Sequence, residues 1–308
     1  MPKRISKRAI KPAKLAVLWS QFSDFKRGQL TANTMRDFTK TGVLITKLPK
    51  TLTTAIEIRD WLMAVPDGEE KPRYANERVR RLMVSFNACC EWAFNSDKLN
   101  TNPFSGLSKE IRKTSHIENQ WTAFEPHERA AIIDRFTDVN PYFVPWVKFL
   151  FWTGCRPSEA AALTWEQIKP DLSAIHFVRA AQPGMFIQPT KTRKDRFFPV
   201  NDRLRFFLLG LRPEPMDRSQ ILLPGEKGGR MEFHNFQTRH WRPLITEMVE
   251  EGLIFRYMGQ YHCRHTWITM ALEAGMDVND IAYLSGNSPN IIYRHYASRN
   301  RNIKVPEF

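Results

Sequence analysis

The sequence predicts a mainly α-helical chain with one small antiparallel sheet, an α+β protein of two domains. Three observations predict it. The 308 residues amount to about two ordinary domains. Apolar residues recur at helical intervals along most of the chain, whereas alternation with a period of two is confined to residues 174–200. A polar, basic stretch broken by Asn100, Asn102-Pro103 and Gly106 separates a helical first part from a second part of different pattern. The expected division is a basic tail over 1–14, a helical domain over 15–110, a linker over 111–120, a second domain over 121–301 and a tail over 302–308.

The tail carries Lys3, Arg4, Lys7, Arg8, Lys11 and Lys14, whose spacing suits either one face of a helix or a solvated extension. Leu15, Leu18, Trp19, Phe22 and Phe25 then recur as a helical stripe, and Pro49 and Pro66-Asp67-Gly68 punctuate the stretch up to residue 75. The clearest helix of the first domain spans 75–94, with Val79, Leu82, Met83, Phe86, Cys90 and Ala93 on one face and Arg78, Arg80 and Arg81 crowding its start. Its Met and aromatic positions read as core rather than as a cofactor box.

In the second domain Thr122, with Glu125 and Pro126, predicts a capped start for a helix over 125–136, followed by another over 142–152. Three short strands are expected near 174–179, 185–189 and 196–200. Helices resume over 202–211, 234–251, 262–273, 278–284 and 289–298. No internal repeat or low-complexity block interrupts them.

Composition narrows the function. An apolar fraction of 42% with 9 Trp excludes wholesale disorder. No apolar run reaches the ~18 residues of a membrane span, and the start lacks a secretory signal. The four Cys, at 89, 90, 155 and 263, form no CxxC pair, so a reducing cytoplasmic setting without a structural metal is expected. With 46 Lys and Arg against 32 Asp and Glu the net charge is +14, which favours a polyanionic partner, nucleic acid first.

Four segments carry candidate chemistry. In Gly154-Cys155-Arg156-Pro157-Ser158-Glu159, Gly permits a tight turn and Pro suits a first helical turn, so Arg156 would stand at a helix start with free backbone N–H groups beside it. That suits a phosphate; a surface arginine is the plainer reading. Thr190 to Arg196 places Lys191, Arg193 and Lys194 on a turn between two strands, either a groove-binding tip or a solvated one. Tyr261-His262-Cys263-Arg264-His265 would put a second arginine near a helix start among ring groups, where a histidine is more often structural than a ligand. Leu284-Ser285-Gly286-Asn287 is a turn opening a helix that bears Tyr293, His295 and Tyr296, any of which can be packing.

In this order, the segments resemble the tyrosine recombinase, or phage-type integrase, family. Its Gly-x-Arg-x-x-Glu signature matches Gly154, Arg156 and Glu159, followed by Leu163-Thr164-Trp165. Its strand-turn lysine aligns with Lys191, its second arginine signature with Arg264-His265-Thr266, and its Leu-Gly-His turn with Leu284 to Asn287. The family's nucleophile falls nine residues past that histidine position, which selects Tyr296 over Tyr293. The resemblance covers about 121–301. It implies a helical core-binding domain followed by a catalytic domain.

The resemblance further implies roles. Arg156 and Arg264 grip the scissile phosphate, since a planar fork matches phosphate oxygens. Lys191 protonates the departing 5′ oxygen and Tyr296 attacks phosphorus, leaving a 3′-phosphotyrosyl bond, with no ATP, metal or other cofactor required. Glu159 and His265 fix the site from behind. Two positions depart from the family pattern: its histidines are Tyr261 and Asn287 here. Each can hydrogen-bond a phosphoryl oxygen, but neither does imidazole proton transfer. Arg78, Arg80, Arg81, Arg193 and Lys194 would contact DNA.

The partners implied are double-stranded DNA with a specific recombination site, a homotetramer on two such sites and accessory DNA-bending proteins, with no membrane and a nucleoid-associated state when bound. The function implied is site-specific recombination, as in integration or excision of a mobile element. The competing readings are a type IB topoisomerase-like enzyme and a DNA-binding protein with a decayed catalytic site.

Overall fold

The computed structural model describes residues 8–112, 122–182, 187–189 and 195–296. The chain divides into two compact units, Met1–His116 and Ile117–Phe308.

The first unit is helical: α1 (Pro12–Lys26), α2 (Ala32–Thr46), α3 (Ala55–Met63), α4 (Asn76–Asn95) and a single turn, α5 (Leu107–Glu110). Thr31 and Thr54 cap α2 and α3, each accepting from a backbone N–H three residues on. The predicted stripe of α4 is the core: Val79, Leu82, Met83, Phe86, Cys90 and Ala93 are buried with Leu15, Leu18, Trp19 and Phe22 of α1. Two expectations change. Residues 8–14 are not tail: Ala9 bridges Thr54, Ile10 is buried, and α1 already starts at Pro12, whose missing N–H costs nothing in a first turn. Phe25 leaves the buried stripe and is exposed, stacked on Trp92 at the end of α1.

The second unit opens with α6 (Pro126–Val139), a 3₁₀ turn over Pro141–Phe143, α7 (Val144–Thr153), the one-turn α8 (Pro157–Ala160) and a 3₁₀ turn over Trp165–Gln167. Four strands come next, β1 (Ala174–Phe177), β2 (Arg179–Ala181), β3 (Ile187–Pro189) and β4 (Arg196–Pro199), then α9 (Asp202–Leu211). The rest is α10 (Phe233–Phe236), a π turn over Gln237–Trp241, α11 (Arg242–Glu250), α12 (His262–Glu273), α13 (Val278–Ser285) and α14 (Pro289–His295). The core is aromatic, with Trp146, Trp165, Trp241, Phe136, Phe149, Phe151 and Phe236 fully buried among aliphatic residues.

Several details differ from expectation. The cap of α6 is Glu125, not Thr122: Pro126 fixes the first helical position, and the Glu128 carboxylate accepts from the Glu125 N–H at 2.8 Å. The predicted first strand is two strands broken at Val178. β1 pairs antiparallel with β4 from Ala174↔Pro199 to Phe177↔Arg196, and β2 with β3 from Arg179↔Pro189 to Ala181↔Ile187. Among the described residues β3 and β4 do not pair with each other but belong to two separate ribbons; the turn expected to carry Lys191 lies outside the described residues. The helix expected over 234–251 widens into the π turn just before Pro243, which has no N–H to return to the carbonyl of Arg239. α14 ends at His295, leaving Tyr296 as its C-cap.

Candidate active site

Gly154 ends α7 with φ +58°, the left-handed region that favours glycine. A Cβ there would lie 2.8 Å from the Trp267 ring, so α12 packs against bare backbone at this turn. The Gly154 carbonyl accepts a 2.8 Å bond from Nη1 of Arg264. The same turn delivers Arg156 as the extended N-cap of α8. Because α8 is one turn long, its dipole contributes little, and side-chain contacts set the arginine instead.

Arg156 donates through Nη1 to Glu159 at 2.8 Å and through Nη2 to the Gly286 carbonyl at 2.7 Å, with Asn287 Oδ1 at 3.4 Å. Glu159 also accepts from Arg196 of β4 at 2.7 and 3.2 Å, and its backbone-facing oxygen takes the Arg156 N–H. Arg196 further donates through Nε to the Leu284 carbonyl at 2.7 Å and lies over the Phe177 ring. Gly286, at φ +67°, closes the turn after α13, and a Cβ there would meet the Arg196 guanidinium at 2.9 Å.

Charge is unbalanced in this cluster. Glu159 is buried, which alone would raise its pKa, but Arg196, Arg156 and Arg264 together hold it down at about 2. One carboxylate thus faces three guanidiniums. Arg264 is 1% exposed, and burial followed by repulsion from Arg156 lowers its pKa. Its Nη2 is buried with no hydrogen-bond partner among the described residues. Burial also works against the Arg156 charge, and Glu159 and then the Tyr261 phenol more than offset it, so the Arg156 pKa is raised. An excess of buried, forked N–H donors is what an anion-binding site requires.

Tyr261 is exposed at the start of α12, and its ring lies 5.3 Å from that of His265. His265 Nδ1 stands 2.5 Å from the Tyr296 hydroxyl, and both residues are buried. Tyr293 is 52% exposed, against 3% for Tyr296. Thr266 is buried too, and accepts the Phe124 N–H at 2.9 Å.

A family model described as the phage integrase family matches residues 128–302, more than half of the chain. The chain belongs to the phage integrase family. No curated protein matches it. Among solved structures it is similar to the Tn1549 transposon integrase in complex with a circular intermediate DNA, at 15% identity and TM-score 0.75, covering 93% of this chain and 96% of that one. It is also similar to lambda integrase (residues 75–356) bound to DNA, at 11% identity and TM-score 0.67, covering 96% of this chain and 100% of that one. At these identities the likeness is one of fold, helical with a small antiparallel sheet.

In this integrase-family chain, Arg156, Glu159, Tyr261, Arg264 and Asn287 come together around the turns at Gly154 and Gly286, and His265 links them to Tyr296. Lys191, Arg193 and Lys194 lie outside the described residues. In the first unit Arg80 and Arg81 both bond Glu77, whose pKa their hydrogen bonds hold down at about 2, while Arg78 stacks on Tyr74. Among the described residues no group of His, Cys, Asp or Glu is arranged to hold a metal ion, and no helix is long and apolar enough to cross a membrane.

Sequence reasoning missed Arg196, treating it as one more cation of the turn. The period of two contained the signal. Arg196 and Phe198 share the buried phase of β4 while Phe197 is exposed, and a charge on an inward phase demands a buried partner.

Proposed function

We propose that the chain is a site-specific DNA recombinase that cleaves and rejoins strands through a 3′-phosphotyrosyl intermediate, serving integration or excision of a mobile element. The observation that carries this reading is the buried excess of guanidinium, with an unpartnered Arg264 N–H, in one cluster with Tyr261, His265 and Tyr296. A pentavalent phosphorane bears charge on its non-bridging oxygens, and donors already fixed by Glu159 and by the Gly154 and Gly286 carbonyls need no reorganisation to meet it.

Arg156 and Arg264 bind those oxygens. Tyr261 and Asn287 add neutral hydrogen bonds where the family has histidines. Tyr296 attacks phosphorus, and Lys191 protonates the leaving 5′ oxygen. A second 5′ hydroxyl reverses the steps, so the phosphotyrosyl bond stores the energy of the broken linkage. The partner is double-stranded DNA bearing a recombination site, on which a tetramer holds two duplexes. Arg78 and the basic chain start supply phosphate contacts in the first domain, making binding salt-dependent.

The test is incubation with nicked cognate-site DNA. An adduct is expected with wild type and none with Tyr296→Phe, while Arg156→Ala slows its formation about 10²–10³-fold, by analogy with loss of an oxyanion donor. DNA binding without any adduct would favour a decayed site.

A further inference from the structure

The proposed roles leave the Tyr296 proton without a destination. A phenol ionises near pH ~10, so at neutral pH the attacking oxygen needs a basic atom within hydrogen-bond reach. Neither departure from the family pattern supplies one. Tyr261 is itself a phenol, and the Asn287 amide has no basic nitrogen, its oxygen already accepting from Arg156. His262 faces the Gly259 carbonyl through Nδ1 at 3.1 Å, which commits a proton to that nitrogen, and burial lowers its pKa. His295 adjoins Tyr296 in the chain, but successive residues at a helix end project in different directions.

His265 is placed differently. Its Nδ1 is 2.5 Å from the Tyr296 oxygen, and the two residues are only 4% and 3% exposed. Helical spacing on α12 sets Tyr261 one turn before it, with the two rings 5.3 Å apart, and the Tyr261 phenol helps to raise the Arg156 pKa. The imidazole therefore meets both the Tyr296 hydroxyl and the Tyr261 ring. With its own proton on Nε2, Nδ1 offers a lone pair to the Tyr296 hydroxyl.

We propose that His265 is a catalytic residue of this chain, the acceptor that takes the Tyr296 proton as the phenol attacks. The proposal rests on the reading of Tyr296 as nucleophile. In cleavage the Oη–H bond breaks and the proton passes to Nδ1, the Oη–P bond forms, the P–O5′ bond breaks, and O5′ receives a proton from Lys191. In rejoining, the entering 5′ hydroxyl returns its proton to Lys191, the O5′–P bond forms as the Oη–P bond breaks, and the imidazolium protonates the departing phenolate. No oxidant, metal or cofactor enters the balance.

The experiment measures adduct formation by the full chain on nicked cognate-site DNA with a 5′-bridging phosphorothiolate, whose sulfur leaves without a proton. His265→Gln is expected to slow the reaction about 10²–10⁴-fold, the usual worth of a general base, with DNA binding unchanged. Replacing Tyr296 by difluorotyrosine, whose phenol is more acidic, should return the His265→Gln chain to within about tenfold of the fluorinated chain that keeps His265. With His265 intact, the same fluorination should shrink the solvent deuterium isotope effect, a readout that needs no change at 265. An adduct that requires Tyr296 but forms at the wild-type rate in His265→Gln overturns this inference alone. So does an unrescued His265→Gln chain that binds DNA normally, or an isotope effect that fluorination leaves unmoved. An adduct that survives Tyr296→Phe overturns the nucleophile assignment and this inference with it.

Discussion

Arg196 holds Glu159 with two terminal nitrogens and the end of α13 with its third, so one side chain braces the carboxylate and the turn that meets Arg156. Arg196→Ala would leave a buried carboxylate short of a partner, a change that typically costs about 3–5 kcal/mol. Denaturant unfolding of the second unit should show this loss, and adduct formation should slow because Arg156 loses its fixed anchor. Arg196→Lys should recover little of either, since an ammonium cannot fork onto both oxygens. Unfolding and adduct rates at wild-type levels in Arg196→Ala would show that Glu159 does not depend on it.

Glu159 also gives the site a pH signature. Its pKa lies near 4.5 when unperturbed and at about 2 in the folded chain. A depressed carboxylate stabilises the fold fully above its unfolded value, and that stability is lost as pH falls from about 4.5 towards about 2. The difference corresponds to about 3 kcal/mol. The urea midpoint should therefore fall less between neutral pH and about pH 3 in Glu159→Gln than in wild type. Equal pH slopes in the two proteins would remove the buried carboxylate from the account.

At the scale of elements, the turns at Gly154 and Gly286 bring α8, β4, α12 and α13 to one point. Gly154→Ala forces a left-handed residue into the Trp267 ring, so a stability loss of about 1–3 kcal/mol is expected by thermal unfolding. Gly28→Ala, with open space around it, is the matched control.

Long periodic segments were legible in the sequence. α12 spans the residues expected of it, His262–Glu273, and α4 begins and ends one residue later than predicted. The strands at Ile187–Pro189 and Arg196–Pro199 fall inside the ranges expected of them, but the division of the first strand was not legible, because three or four residues carry little periodicity and Val178 looks like strand while breaking the ladder. The chain order of Arg156, Arg264 and Tyr296 was legible for the same reason the family match is. The partners of those residues were not: that Gly286 offers its carbonyl to Arg156, or His265 its ring nitrogen to Tyr296, depends on tertiary closure over more than thirty residues and leaves no local pattern.

At the scale of the molecule, a net charge of +14 predicts salt-sensitive binding to DNA. The cations of α4 should not contribute equally. Arg80 and Arg81 share Glu77, so their charge is partly neutralised already, whereas Arg78 rests on the Tyr74 ring. Arg78→Ala should lower the slope of log affinity against log salt by about 1, and Arg80→Ala by less. Equal changes in slope would mean that DNA displaces Glu77 from its partners.

Whether the guanidinium cluster serves a tyrosine nucleophile is decided by trapping the covalent adduct on nicked cognate-site DNA and mapping the linked residue. A phosphotyrosyl bond is expected at Tyr296, absent in Tyr296→Phe and retained in Tyr293→Phe. A linkage at the exposed Tyr293, or one that persists without Tyr296, would contradict it.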